Sequence, residues 1–165
     1  MANFIQRLFF KAEKSNEFPK ISFGAGLEFI EYKTANNYLD ISLTTSNGLR
    51  LYADSIQKWR NNELISDLEK ESIFIQIIQF LVKKTKERPI VVINIDYNKT
   101  LWETLCEKYK DQVKQIEYTS DKERDEFLFN HLLASIRKNG TIVDGNKIIK
   151  TEAEFLEYWK NRNKG

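Results

Sequence analysis

The polar and apolar positions of this chain change rhythm partway along. Between residues 38 and 53 they alternate. In YLDISLTT, Leu39, Ile41 and Leu43 alternate with Asp40, Ser42 and Thr44; in LRLYA, Leu49, Leu51 and Ala53 alternate with Arg50 and Tyr52. A period of two sends successive side chains to opposite faces, so both segments predict half-buried strands. ISFGAGLEFIEYK alternates too, with Gly24 and Gly26 as breaks or a bulge; Leu27, Phe29 and Glu31 share one face, and Glu28, Ile30 and Tyr32 the other. TANN at 34–37 reads as a turn, and Asn47-Gly48 is a hairpin signal. The first third therefore predicts an antiparallel meander of at least three strands with one apolar face. After it, Asp54 or Ser55 offers an N-cap oxygen, and Ile56 and Trp59 stand three apart. That spacing predicts one short helical turn whose tryptophan plugs the open end of the β-layer. Near the start, Phe4, Ile5, Leu8, Phe9 and Ala12 fall at helical spacing, with a strand as the competing reading.

From Ser66 onward the period becomes helical. Ser66 and Glu69 form a capping box, with Ile65 before them, and the helix should run to about Lys86, ahead of Pro89. Its apolar residues, from Leu68 through Val82, occupy more than one stripe, which predicts a central helix covered on two sides. PIVVINID is a continuous apolar run of the kind buried on both faces of a sheet. NKTLWETLCEKYKD places Leu101, Trp102, Leu105, Cys106 and Tyr109 on one helical face, and QIEYT is a further strand. Strand, helix and strand at this spacing predict a parallel pair with a right-handed crossover. Asp96 follows the buried strand and is expected to cap the helix that starts near Asn98. Ser120 and Glu123 form a second box, opening a helix with Phe127, Leu128, His131, Leu132, Ser135 and Ile136 in register and ending at Asn139-Gly140. Asp144-Gly145 predicts a tight hairpin, and Thr151 with Glu154 opens a last helix carrying Phe155, Leu156 and Trp159. The fold class is α+β: an antiparallel β-meander followed by a helix-rich half with a βαβ unit. One domain is expected over 1–165, mainly meander in 1–60 and mixed in 61–165.

Composition narrows the chemistry. Of 165 residues, 41% are hydrophobic and 13% aromatic, enough for a sizeable core, and charged residues nearly cancel to a net +2. That balance argues against direct nucleic-acid binding, which favours a basic excess, and against a uniformly acidic nucleic-acid mimic. One cysteine rules out an internal disulfide, and one histidine beside it cannot build a common zinc site. No cofactor or metal is expected. MANFIQRLFFKAEK has Arg7 in its middle and no long apolar run, so it does not read as a secretory leader; IFIQIIQFLV is half a bilayer span and carries two glutamines. The expected compartment is the cytoplasm, with no membrane contact. His131 reads as a partly buried histidine on an apolar helix face, and Cys106 as a core thiol.

Two constellations bear on function. Glu31-Tyr32-Lys33 has the Glu-x-Lys form of magnesium-dependent nucleases, which also need a carboxylate on a neighbouring strand. No aspartate precedes Glu31, and only Glu13, Glu17 and Glu28 stand upstream as substitutes. The second is the acidic run around IEYTSDKERDE, with Glu117, Asp121, Glu123, Asp125 and Glu126. It reads as a solvated face favoured by the helix dipole, or as a docking patch for a basic partner.

The stretch Tyr52 to Trp59, preceded by a polar meander and followed by a helix opening in Ser-Asp-Leu-Glu-Lys, resembles a family of immunity proteins from bacterial polymorphic-toxin and contact-dependent growth inhibition systems. The likeness covers roughly Gly26 to Glu87, and the βα-rich second half departs from the family's pattern. TIVDGNKIIKTEAEFLEYW is separately similar to the strand-turn-helix that opens barstar-type inhibitors. The resemblance implies a non-catalytic protein that binds a cognate toxin, a basic nuclease being one fit to the acidic run, and occludes its active or target-binding surface. Interface hot spots favour Trp, Tyr and Arg, so the implied contact residues are Tyr32, Tyr38, Arg50, Tyr52, Tyr97 and Tyr118, with the acids from Glu117 to Glu126. The other readings are a magnesium-dependent nuclease using Glu31 and Lys33, and a non-catalytic oligomerising or interaction domain.

Overall fold

The computed structural model describes residues 18–144 and 147–162. The helix expected around Phe4 to Ala12 lies outside them, as do Gly145 and Asn146 of the second hairpin turn. The fold is α+β. The chain divides into two compact units between Tyr118 and Thr119.

In the first unit, β1 (Lys20–Phe23), β2 (Phe29–Lys33), β3 (Tyr38–Thr44) and β4 (Arg50–Tyr52) run antiparallel to one another in sequence order. The chain then passes through α1 (Asp67–Thr85) and returns as β5 (Ile90–Asn94), parallel to β4. After α2 (Lys99–Lys108), β6 (Gln115–Thr119) takes its place beside β5, giving a six-stranded sheet of order β1 to β6. Register follows from the alternation. Ile30 opposes Ile41, Tyr32 opposes Leu39, Leu43 opposes Leu51, and Leu51 opposes Val91. These residues form one buried face. Asn47-Gly48 sits in the β3–β4 connection as expected, with Gly48 at φ 93°, a backbone region that a side chain strains.

Helices α1 and α2 both pack on that face. Ile73, Phe74, Ile77, Ile78 and Leu81 of α1 and Trp102, Leu105 and Cys106 of α2 join the same core as the inward strand residues. Phe74 meets Trp102 at 5.7 Å between ring centroids, and Phe80 meets Phe23 at 5.1 Å. The α1 capping box is complete: Ser66 Oγ accepts from the Glu69 N–H and the Glu69 carboxylate accepts from the Ser66 N–H. The helix is not covered on two sides, however. Its buried residues form one stripe, and Leu68 is 82% exposed, because the sheet offers it only one partner surface. The turn after β4 also differs from expectation. A 3-10 turn covers Ala53–Ser55 and ends before Ile56, so no helix carries Ile56 and Trp59. Ser55 Oγ donates to the Tyr52 carbonyl at 2.6 Å and accepts the Ser42 N–H at 3.1 Å, tying the turn to β3. Trp59 is buried beside Tyr32, with centroids 6.2 Å apart. Asp96 is not the cap of α2; Asn98 holds that position, in a left-handed conformation and without a side-chain cap bond.

The second unit contains α3 (Asp121–Asn139), the hairpin of β7 (Ile142–Asp144) and β8 (Lys147–Ile149), and α4 (Glu152–Arg162). Its core is Ile136, Ile149 and Phe155, with Phe129, Leu132, Leu133 and Trp159 against them. The face of α3 is therefore rotated from expectation. Phe129 and Leu133 turn inward, while Phe127 is 73% exposed and stacks on an exposed His131 at 6.1 Å. His131 is not a core histidine.

Trp102 is fully buried, and its indole N–H has no hydrogen-bond partner among the described residues. A buried donor without a partner costs about 1–3 kcal/mol. Trp102→Phe removes that donor along with volume, so it should cost well under the roughly 3–5 kcal/mol usual for truncating a buried aromatic to Ala. Urea unfolding of Trp102→Phe and Trp102→Ala checks this; equal losses would contradict it.

Candidate functional site

Because one face of the six-stranded sheet is occupied by α1 and α2, chemistry on the strands is confined to the other face. The same alternation that buries Leu51 turns Arg50 and Tyr52 outward, opposite Ile90 and Val92 of β5. Phe29 opposes Ser42 across β2 and β3; Glu31 and Asp40 form the next pair, and Lys33 with Tyr38 the next after that, while Thr44 opposes Arg50 across β3 and β4. Phe29 lies back over the β1–β2 turn, where a Cβ on Gly24 would stand 2.1 Å from its ring, so the glycine makes room for the phenylalanine.

Arg50 and Glu117 organise this face. The guanidinium makes a two-pronged contact, Nε to Oε2 at 2.8 Å and Nη2 to Oε1 at 3.1 Å. Since Arg50 is on β4 and Glu117 on β6, the pair spans β5 between them. Ile90 and Val92 point to the face opposite α1 and α2 yet are only 4% and 5% exposed. Arg50 also donates to the Asn47 carbonyl, which joins the bridge to the β3–β4 hairpin, and Gln115 Nε2 donates to Glu117 at 3.0 Å. The guanidinium holds the Glu117 carboxyl below its ordinary value of 4.5.

The predicted contact residues separate accordingly. Tyr32 is not a surface residue: it is 4% exposed, and its hydroxyl donates to Gln76 Oε1 at 3.0 Å. Its place in the row of Leu39 put it in the core, and burial raises its pKa. Tyr38 stands on the outer face beneath the Arg60 guanidinium, 5.2 Å from its centroid. Its hydrogen bond to Asp40, then loss of solvent, with Asp40's charge and Glu31 adding to them, pushes its phenol up to about 12. Arg50, Tyr52 and Glu117 lie together toward the β4–β6 side. Tyr97 follows β5 in an exposed turn, its N–H donating to the Asn94 carbonyl at 3.1 Å. Tyr118 is exposed, but its hydroxyl donates to Glu103 of α2 at 2.8 Å.

The acidic run is not a single patch in kind. Glu117 is taken by Arg50 in the first unit, whereas Asp121, Glu123, Asp125 and Glu126 are on α3 in the second. Ser120 caps that helix by accepting from the Glu123 N–H at 3.2 Å, and Asp121 and Glu123 occupy the first turn, where the dipole favours them. Asp125 and Glu126 sit apart from this capping role. With Lys122, Phe129, Asn130 and Trp159 they line an open groove of about 610 Å³.

The Glu-x-Lys reading gains one residue that sequence order concealed. Asp40 opposes Glu31 across the β2–β3 pair, with Lys33 on the same face and Ser22 Oγ donating to Glu31 at 3.3 Å. The second carboxylate comes from downstream, not upstream. Among the described residues, no group of three or more His, Cys, Asp or Glu side chains is placed to hold a metal ion. Cys106 is a buried thiol, pushed up to about 12 by burial and then by Glu103, and so protonated at neutral pH. No helix among the described residues is long and apolar enough to cross a membrane. No protein-family model matches the chain, and neither a curated protein nor a solved structure matches it.

The depressed Glu117 value fixes a pH dependence. A carboxylate with a lowered folded-state pKa contributes stability that is complete above its unfolded value and is lost as pH falls through the folded one. Glu117→Gln should therefore be less stable than the parent at neutral pH. The difference in urea midpoint should close as pH falls through 4.5 and below. A difference that persists unchanged in acid would show that the bridge acts by packing alone.

Proposed function

We propose that this chain is an immunity-type inhibitor that binds a cognate bacterial toxin in the cytoplasm and covers its active or target-binding surface. The observation that supports this reading is the outer face of the first unit's sheet. Its opposite side is locked into the core, so the strands are a rigid support, and they present Phe29, Tyr38 and Tyr52 among the charges of Arg50, Glu117, Glu31, Lys33 and Asp40. Aromatic side chains held on a stiff scaffold lose little freedom on binding and are the residues that dominate interfaces. The resemblance to immunity proteins falls on the same strands and on α1. Charges already paired within the face help choose and orient a partner more than they add raw affinity.

The test is co-expression with a toxin encoded beside this chain. Growth should be rescued and the pair should co-purify; no rescue by the intact protein rejects that toxin as its partner. Tyr52→Ala should weaken the complex about ten- to thirtyfold, the effect of losing a hot-spot residue of about 1.4–2 kcal/mol. An unchanged dissociation constant would move the contact away from this face.

A second reading rests on Glu31, Asp40 and Lys33, which the strand pairing brings onto one face. Two carboxylates and a lysine are the outline of a magnesium-dependent nuclease site. Incubation of the purified protein with DNA and RNA in magnesium decides it. The inhibitor reading expects no cleavage. Magnesium-dependent cleavage that Glu31→Ala abolishes would replace it.

A further inference from the structure

The groove between α3 and α4 sets the outer surface of two core-packed aromatics beside carboxylates that the helix cap does not use. Its apolar part is Phe129 and Trp159, whose rings meet edge-on, 5.4 Å apart. Its rim carries Asp125, Glu126 and Lys122, one more acid than base. Among the described residues, Glu126 has only a long i,i+4 contact with Lys122, at 4.0 Å between two well-exposed groups. The side chain of Asp125 has no hydrogen-bond or ion-pair partner among the described residues. Trp159 already receives one guanidinium from its own helix: the Arg162 head lies 5.1 Å from its centroid.

We propose that this groove captures an arginine side chain of a basic partner protein, which rests on the reading of this chain as a protein-binding molecule and names the chemistry its second unit selects. Charge complementarity argues for a cation, and the shape and aromatic lining argue for this cation. A guanidinium is planar, stacks on an indole or phenyl face, and donates in a fork that two carboxylate groups can accept. A lysine ammonium is a compact, strongly hydrated point charge and uses the aromatic surface less well. Asn130 adds an amide that can accept from a third N–H. The acids lie on the same side of α3 as Phe129: Asp125 is four residues before it, one helical turn away. A stem entering over the rings thus brings its head to the carboxylates. This assignment gives Asp125 and Glu126 a role separate from Asp121 and Glu123, which serve the helix N-terminus.

The test uses the full chain and three capped tripeptides, Gly-Arg-Gly, Gly-Lys-Gly and Gly-citrulline-Gly, with binding read from the indole N–H resonances. Trp59 and Trp102 are buried in the first unit and act as internal controls. The arginine peptide should shift the Trp159 resonance saturably, and the lysine and citrulline peptides should bind at least tenfold more weakly. Asp125→Asn, and Asp125→Asn with Glu126→Gln, should each reduce arginine binding severalfold or more, with an unchanged circular dichroism spectrum. A Trp159 resonance that does not move, a citrulline or lysine peptide that binds as well, or variants that bind normally would overturn the proposal. No toxin enters this experiment. Absence of arginine capture by the intact chain with growth rescue present overturns the groove alone, and capture without rescue overturns the toxin assignment alone.

Discussion

The constraint on which the rest depends is the alternation of β3. Leu39, Ile41 and Leu43 can reach the core only if Tyr38, Asp40, Ser42 and Thr44 point away from it. A one-residue slip would expose all three apolar side chains and bury an aspartate, so the register is strongly specified. Through Ile30–Ile41, Leu43–Leu51 and Leu51–Val91 the same parity passes from β2 to β5. Helices α1 and α2 then settle on the apolar side, and every polar or aromatic group left over is collected on the other. The composition of the outer face is a consequence of folding the inner one correctly.

That face has its own problem, which is the apolar β5. Ile90, Val92 and Asn94 alternate with Val91 and Ile93, and all five are buried. A run of this kind suits a strand covered on both faces, and α1 and α2 cover one of them. On the other, the Arg50–Glu117 bridge joins the two strands that flank it. The interaction joins residues 67 apart in sequence and couples the hairpin, through the Asn47 carbonyl, to β6. It leaves Tyr52 beside the bridge on a supported strand, the placement a recognition residue needs.

Local signals were legible wherever local physics decides. The β3 alternation, the Asn47-Gly48 turn, the Ser66 capping box and the apolar face of α2 are set by neighbours a few residues away. The rest depended on partners that spacing does not reveal. In α3, residues 127, 128, 129, 132, 133 and 136 are all apolar. Two overlapping inward faces are therefore available, and Phe155 and Trp159 of α4 select the one with Phe129 and Leu133. Tyr32 looked like a strand-end aromatic until Leu39 fixed its side of the sheet. Helix α1 carries more apolar residues than its single sheet contact uses, which is why two-sided cover was expected. Asp40 was invisible as a partner for Glu31 because it follows it in the chain. Of the implied contact residues, Tyr38, Arg50, Tyr52 and Glu117 share one face, but the grouping of the last three follows from the β4–β5 pairing and the bridge, not from any motif.

The central claim is that the sheet face opposite α1 and α2 grips a protein toxin. Hydroxyl-radical footprinting of the chain, alone and in complex with the toxin it rescues, tests this most directly. The account predicts that Phe29, Tyr38 and Tyr52 lose reactivity in the complex while Leu68 on the outer side of α1 keeps its own. Protection of Leu68 with the three aromatics still reactive would contradict it.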